Sequence, residues 1–415
     1  MILDFLQKKS FLGETELSLL SADGWPREDG SSAASAMKLS AVNSCVEIIS
    51  NTIANLPWFI MDEVTKEHSN DHYLGQVLWS RPNEVQSPFD FEKYITQLIL
   101  CEGNAYVWNC RDGAGRTVER IPLPPGFCRP YFDLQSGKWW YFASDPKTNE
   151  RYRLDPADIS HYKMYTDDGV NGVSVLHRAR KTIENAKYAQ SYEQKMFRSG
   201  GRPSGLLQTE ADLGGDTIIR NADGTTETIT KKEKLRRSWD KVHAGPDNAF
   251  KVAILDHGLK YSPIEMMKPS DAQLIESKSV TVADICRFFC IPAYKLGEGK
   301  QSYASNEQNN LEFLVQTIQP FVTQREQENT FKLLTVTERQ KQHLRVRMNM
   351  AAALRSDTRT RAEVERIYRD IGVYSVNDIR ELEDRPNVPG GDTRYASLNY
   401  VPLEDFGKLS ANKEE

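Results

Sequence analysis

A chain of 415 residues with 39% hydrophobic and 27% charged residues has the composition of a folded protein with room for two or three domains, which excludes a disordered chain and a staple-dependent mini-protein. Its formal net charge of −5 argues against a protein that grips nucleic acid tightly, because such a protein needs a surplus of clustered Lys and Arg. No apolar run approaches the roughly 18 residues of a spanning helix, and the first nine residues lack the basic-then-apolar order of a signal peptide, so no membrane partner and a cytoplasmic place of synthesis are expected.

Residues 1–36 read as a flexible N-terminal arm that ends in the small-residue stretch Asp29 to Ala36. Over 40–56, Val42, Val46, Ile49, Ile53 and Leu56 recur at helical spacing, with Ser40 as cap and Pro57 as stop. A strand over 58–61 follows, then a helical face of Leu74, Val77 and Leu78, a turn at Ser80-Arg81-Pro82-Asn83, and a helix over 89–101 behind Ser87-Pro88. Strands are expected over 104–108, 118–123, 139–142 and 159–162, the first two separated by the turn Asp112-Gly113-Ala114-Gly115. One long helix is expected over 174–198, carrying Leu176, Ala179, Ile183, Ala186, Tyr192 and Met196, with Ser174 as its cap. Residues 200–268 form a compact insert with strands at 206–207, 218–219 and 252–255. Its helix over 231–242 is basic, with Lys231, Lys232, Lys234, Arg236 and Arg237; a solvated face is the plainer reading and a binding patch the other.

The stretch 269–334 reads as two helices joined by a loop. Ser270 and Asp271 open the first, whose Ile275, Val282, Cys286 and Phe289 share a face, and Pro292 with Gly297 marks its end. Lys295 to Ser302 is polar and carries two glycines, so it is expected to be exposed and mobile rather than packed. Ser305 and Gln308 make a capping box for the second helix, in which Leu311, Leu314, Ile318, Val322 and Arg325 share a face and Pro320 imposes a kink. Another helix is expected over 357–370. The whole is an α+β chain.

Catalytic and metal signals are weak. The six cysteines include no CxxC pair; Cys286 and Cys290 are four apart, but no further ligand lies near them, so buried free thiols are the better reading. His68 and His72 have ligand-like spacing in a polar, turn-rich stretch, and Asp167-Asp168 and residues 381–384 are acidic clusters that suit turns and helix surfaces. Gly297-Glu298-Gly299-Lys300 is no phosphate loop, since Tyr stands at 294 and Gln301 follows the lysine, and Gly172-Val173-Ser174 lacks the second glycine of a nucleophile elbow. No catalytic residue, cofactor or metal is therefore assigned.

The order of short motifs resembles the portal protein of long-tailed bacteriophages, the head-tail connector. The similar stretches are Ala41-Val42-Asn43-Ser44-Cys45-Val46, Leu56-Pro57, Arg81-Pro82-Asn83, Glu102-Gly103-Asn104-Ala105-Tyr106 and Gly172-Val173-Ser174. They continue with Gly201-Arg202-Pro203-Ser204-Gly205, Gly245-Pro246-Asp247-Asn248-Ala249, Lys251 to Leu255, Asp271-Ala272-Gln273, Ile291-Pro292, Arg355-Ser356-Asp357 and Pro389-Gly390-Gly391-Asp392. The resemblance implies a portal fold assembled as a cyclic ring of twelve copies at one capsid vertex of the virion, a conduit for double-stranded DNA. It implies a wing over 37–172, a first stem helix over 173–199, a clip over 200–268 and a second stem helix over 269–291. A tunnel loop over 292–304, a long kinked helix with the remaining wing over 305–350, a crown over 351–391 and a tail over 392–415 complete it. The implied partners are the terminase large subunit and then head-completion or adaptor proteins at the clip, where Lys231, Lys232, Lys234, Arg236 and Arg237 are candidate contacts. The major capsid and scaffolding proteins are expected at the wing. Lys295, Glu298, Lys300 and Gln301 would face the DNA channel; the near-neutral composition suits a conduit that must not grip, and solvated loop lysines are the alternative. A metal-dependent nucleic-acid-processing enzyme and a minor capsid or adaptor protein without a channel are the competing readings.

Overall fold

The computed structural model describes residues 33–69, 71–144, 151–198, 205–208, 214–220, 226–243, 260–263, 271–297, 306–354, 358–383 and 385–395. The expected cap at Ser270, the capping-box serine Ser305, the strand at 252–255, and Glu298, Lys300 and Gln301 lie outside the described residues. In chain order the first elements are α1 (Ser40–Ala54), β1 (Trp58–Asp62), a π-helical turn (Gln76–Ser80), α2 (Pro88–Glu102), β2 (Asn104–Arg111), β3 (Thr117–Pro122), β4 (Cys128–Asp133), β5 (Lys138–Ser144), β6 (Arg151–Leu154) and β7 (Ile159–Lys163). Next come α3 (Val175–Arg178), α4 (Arg180–Arg198), β8 (Gly205–Gln208), β9 (Asp216–Arg220), β10 (Thr226–Thr230), α5 (Lys231–His243), β11 (Lys260–Pro263) and α6 (Asp271–Phe288). The last are α7 (Asn306–Phe313), a π segment (Leu314–Ile318), α8 (Gln319–Leu333), α9 (Val336–Gln340), β12 (Leu344–Met348), α10 (Thr358–Asp370) and α11 (Val376–Leu382).

The largest core is helical. Ile49 and Ile53 of α1, Ile183 of α4, Cys286 at the end of α6, Phe289 just beyond it, and Ile318 and Val322 around the start of α8 pack with Ile60 and Val346 of the antiparallel pair β1–β12. Each such side chain contributes about 1.5–3 kcal/mol on burial. The second core lies under the sheets β3-β2-β7 and β4-β5-β6, with Trp108, Leu123, Tyr152 and Ile159 at its centre. The third sets Phe91, Ile95 and Ile99 of α2 against Val107 and Tyr162. β2 is thus covered on both faces, which is why Ala105 to Cys110 are all buried, the apolar run being interrupted by Asn109, whose Nδ2 donates to Ser160 Oγ at 2.8 Å.

Three expectations need correction. Ser40 does not cap α1: Leu39, buried in the core and extended at φ −79°, ψ 124°, takes the cap position and makes no side-chain bond there, so the helix starts with Ser40 already inside it. The single helix expected over 174–198 is jointed. Ser174 caps α3 by accepting the His177 N–H at 3.0 Å, and Ala179, at φ −85° and ψ 5°, turns the chain before α4. Ala179 is fully buried, and the bonds from its N–H to Val175 and from Ile183 to its carbonyl, both 2.9 Å, carry the ladder through the bend. In the second half, Leu314, Ile318, Val322 and Arg325 share the buried face as expected, but Leu311 is 49% exposed. The π segment Leu314–Ile318 shifts the register between α7 and α8, and it ends where Pro320, in the first turn of α8, can donate nothing to the preceding turn. The proline's missing N–H is accommodated by the wider π turn that precedes it.

The other elements follow their sequence. Ser87 caps α2 by accepting the Asp90 N–H at 3.1 Å, with Pro88 in the first turn. In the insert, β8 pairs with β11 and β9 with β10, all antiparallel, and α5 follows β10 directly.

Candidate functional site

Several of the sequence motifs are backbone clamps. Gly103 sits at φ +81°, where a Cβ would lie 2.5 Å from the Ser174 nitrogen, and a Cβ on Gly172 would lie 2.1 Å from the Gly103 oxygen. Two chain segments cross here with no room for a side chain. Asn104 fastens the crossing: its Oδ1 accepts the Gly172 N–H at 2.8 Å and its Nδ2 donates to the Gly172 carbonyl at 2.7 Å. His161 completes it. An amide oxygen only accepts, so His161 carries its proton on Nε2 toward Asn104 Oδ1 at 2.9 Å and accepts the Tyr141 hydroxyl at Nδ1, 3.3 Å away. Burial, with Lys163 and Lys332 nearby, pushes this imidazole down to about 3, so it is neutral. The motif at 81–83 works alike, with Asn83 Nδ2 donating to the Arg120 carbonyl at 3.0 Å and the Arg120 N–H to the Pro82 carbonyl at 2.7 Å. At the C-terminal side, Asn377 binds Val388 in both directions, while Gly391 leaves the space its amide fills.

The loop between α6 and α7 stands on a built base. α6 ends in a Schellman motif: the Ile291 N–H bonds the Cys286 carbonyl at 2.9 Å, the Cys290 N–H bonds the Arg287 carbonyl at 3.1 Å, and Cys290 takes the left-handed conformation at φ 54°. Pro292 then opens a 3-10 turn over Ala293–Leu296, which Gly297 closes at φ 81°. Across the loop, the Tyr294 hydroxyl donates to the Asn309 carbonyl at 2.6 Å and Lys295 Nζ donates to Asn310 Oδ1 at 2.8 Å. Lys295 also lies over the Phe313 ring at 4.9 Å, and partial burial lowers its pKa. Lys295 was expected to be exposed and mobile; it is half-buried and packed, because α7 presents an amide and a ring to it. The residues of this base in α7, Asn309 and Asn310 at polar positions and Phe313 at its end, gave no sequence signal of a partner across the loop.

Of the basic residues of α5, Lys231, Lys232, Lys234, Arg236 and Arg237 are all exposed. Arg237 is already engaged, donating to both oxygens of Glu227 at 2.9 and 3.1 Å and to Glu233 at 3.4 Å. The structure therefore presents Lys231, Lys232, Lys234 and Arg236 on an open helix, with Arg237 turned back to β10.

A buried ionic cluster ties α8 to the sheets. Glu92 of α2 lies between Arg120 at 3.9 Å and Arg325 at 3.7 Å, and accepts the Trp58 indole N–H at 3.2 Å. Arg325 donates to Thr96 at 2.7 Å; Arg120 donates to Tyr162 at 2.8 Å and to Asn329 at 3.1 Å. Burial lowers the Arg325 pKa and pushes the Tyr162 phenol up to about 12. The signal for this cluster was an arginine on an otherwise apolar helix face.

The other candidates are structural. His68 stacks on Phe59 at 4.7 Å and His72 pairs with Glu338 at 3.2 Å, so they do not converge. Asp168 folds its own turn, accepting the N–H groups of Val170 and Asn171 at 2.7 Å each, and Asp167 pairs with Arg178 at 2.9 Å. Among the described residues no three His, Cys, Asp or Glu side chains are grouped to hold a metal ion, and no helix is long and apolar enough to cross a membrane.

Comparison with known proteins places this architecture. The family model described as phage portal protein matches residues 40–384. The portal protein of Enterobacteria phage HK97 is 26% identical over 411 residues, covering 95% of this chain and 89% of that one. The fold is similar to that of an HK97 family phage portal protein from Corynebacterium diphtheriae, with a TM-score of 0.57, 15% identity, and coverage of 79% of this chain and 99% of that chain. It is also similar to a chain in the neck of a native gene transfer agent particle computed with C12 symmetry, with a TM-score of 0.53, 20% identity, and coverage of 90% and 99%. A family model that spans the helical core, both sheets and the insert leaves one assignment: the α+β fold is the portal fold, and the chain belongs to the phage portal protein family, the head-tail connectors of tailed phages.

Proposed function

We propose that twelve copies of this chain close into a ring at one vertex of the capsid and form the channel through which double-stranded DNA enters during packaging and leaves during ejection. The observation that carries the reading is the family match over residues 40–384, which takes in every described core. Similar chains stand in necks computed with C12 and with C6 symmetry, and a ring of twelve is compatible with both. In this reading residues 37–172 with β12 form the wing toward the major capsid and scaffolding proteins, α3–α4 and α6 the stem, residues 200–268 the clip, and α10–α11 the crown. The portal family is structural, and no catalytic step is assigned to the chain.

The channel loop is divided in its roles. Lys295 and Tyr294 hold its base against α7, Lys300 with Gln301 supplies the transient phosphate contacts, and the carboxylate of Glu298 faces the same channel and opposes a tight grip. Such contacts carry no sequence information and suit a conduit for any DNA. The clip receives the terminase large subunit through Lys231, Lys232, Lys234 and Arg236, and later the head-completion protein on the same surface. The test is packaging into proheads assembled with this chain. Lys300→Ala is expected to slow DNA translocation while rings and proheads form normally; translocation unchanged in Lys300→Ala would remove the loop from the mechanism, and proheads that package without this chain would remove the chain.

A further inference from the structure

The helix that follows the channel loop packs out of step with its own pattern. On an uninterrupted helix Leu311, Val315, Ile318 and Val322, spaced by four, three and four, fall on one face. Ile318 and Val322 are buried there, but Leu311 and Val315 are 49 and 51% exposed. Phe313, which the same pattern places on the far side, is 4% exposed. The π segment makes the difference. The Gln319 N–H bonds the Leu314 carbonyl, five residues back instead of four, so α7 is turned relative to α8 by one residue, about 100°.

α7 therefore carries apolar residues for two faces. Closing the π segment into α-helix would turn Leu311 and Val315 onto the core and Phe313 out of it, exchanging one buried apolar side chain for two. Pro320 stands against the closure. In a continuous helix the Gln316 carbonyl, four residues back, would meet the proline ring and find no N–H. Periodicity favours one register and the proline the other. Packed elements with two such arrangements switch between them rather than deform gradually.

The register reaches the loop. Lys295 rests on Asn310 Oδ1 and on the Phe313 ring, the Tyr294 hydroxyl donates to the Asn309 carbonyl, and Thr317 Oγ1 of the π segment donates to the Cys290 carbonyl. All of these contacts belong to the present register. Turning α7 by one residue carries Asn310 and Phe313 away from Lys295 together.

We propose that α7 has a second register, one residue over and free of the π segment, and that exchange between the two holds or frees the base of the channel loop, with Pro320 setting the balance. The role in the channel rests on the portal reading of the chain; the two registers do not.

The test is hydroxyl-radical footprinting of the full-length chain, read residue by residue by peptide mass spectrometry, with acetylation of Lys295 measured alongside. In the wild type Leu311 is expected to react and Phe313 to be protected. Pro320→Ala is expected to reverse the pattern: oxidation of Phe313 and acetylation of Lys295 rise about threefold or more, while oxidation of Leu311 falls by about the same factor. Adding Leu311→Asn to Pro320→Ala is expected to restore the protection of Phe313 and Lys295, because the second register would bury an unpaired amide. Persistence of the wild-type pattern in Pro320→Ala overturns the proposal. A joint rise at Leu311 and Phe313, which is unravelling of α7, overturns it too, as does failure of Leu311→Asn to restore protection. Footprinting reads the chain itself, so a negative result here leaves the channel reading in place, and a ring that passes no DNA leaves the two registers in place.

Discussion

Several residues of the family motifs, Gly103, Asn104, Gly172, Pro82 and Asn83 among them, stand where backbone meets backbone. Gly172→Ala places a methyl group 2.1 Å from the Gly103 oxygen, and neither chain segment can yield without breaking the Asn104 clamp. We expect a loss of about 3 kcal/mol or more by denaturant unfolding, against less than about 0.5 kcal/mol for Gly113→Ala, where nothing lies within 4 Å. His161 beside the clamp adds a pH dependence. Its folded pKa of about 3 lies below the ordinary 6.5, so between those values the unfolded chain binds the extra proton. Stability from this group is full above about pH 6.5 and falls as pH drops toward 3, with a limiting slope of about 1.4 kcal/mol per pH unit. Thermal melts from pH 7 to pH 5 should show the decline, and His161→Gln should flatten it.

At the scale of elements, the cluster around Glu92 joins α2, β3 and α8. Glu92→Gln takes away the carboxylate between two buried guanidiniums, and we expect it to cost about 3–5 kcal/mol, read from the denaturant midpoint of the unassembled chain. A variant within about 0.5 kcal/mol of wild type would show that the arginines are satisfied by Thr96, Tyr162 and Asn329 alone. For the exposed face of α5 we propose a docking role instead. Lys232→Glu with Lys234→Glu should leave ring mass unchanged and weaken binding of the terminase large subunit about tenfold or more at low salt, measured by titration calorimetry. What was legible here was local: the cap of α2, the apolar faces of α1 and α8, and the short antiparallel strands each follow from residues a few positions apart. What was hidden depends on distant partners. Leu39 displaces Ser40 as the cap of α1 because the core holds it, and buried Ala179 turns the chain between α3 and α4. Lys295 is packed because α7 returns to it across the loop, and Arg325 looked like one more face residue until Glu92, 233 positions earlier in the chain, came to meet it.

At the scale of the whole molecule, the chain leaves apolar surface where a monomer has no use for it. Tyr188 and Tyr192, one turn apart on α4, are 72 and 46% exposed, and Val364 and Ile367 on α10 are 40 and 52% exposed. The ordered motifs were legible as those of a portal. The sequence patterns alone did not show which helix faces would be left bare, because that depends on what the rest of the fold covers. The most direct measurement of the central claim is native mass spectrometry of the purified chain, paired with negative-stain images. A species of twelve subunit masses with an axial hole is the predicted result. A chain that stays monomeric, or that forms compact dimers without a hole at concentrations and in the presence of scaffold that support prohead assembly, would contradict it.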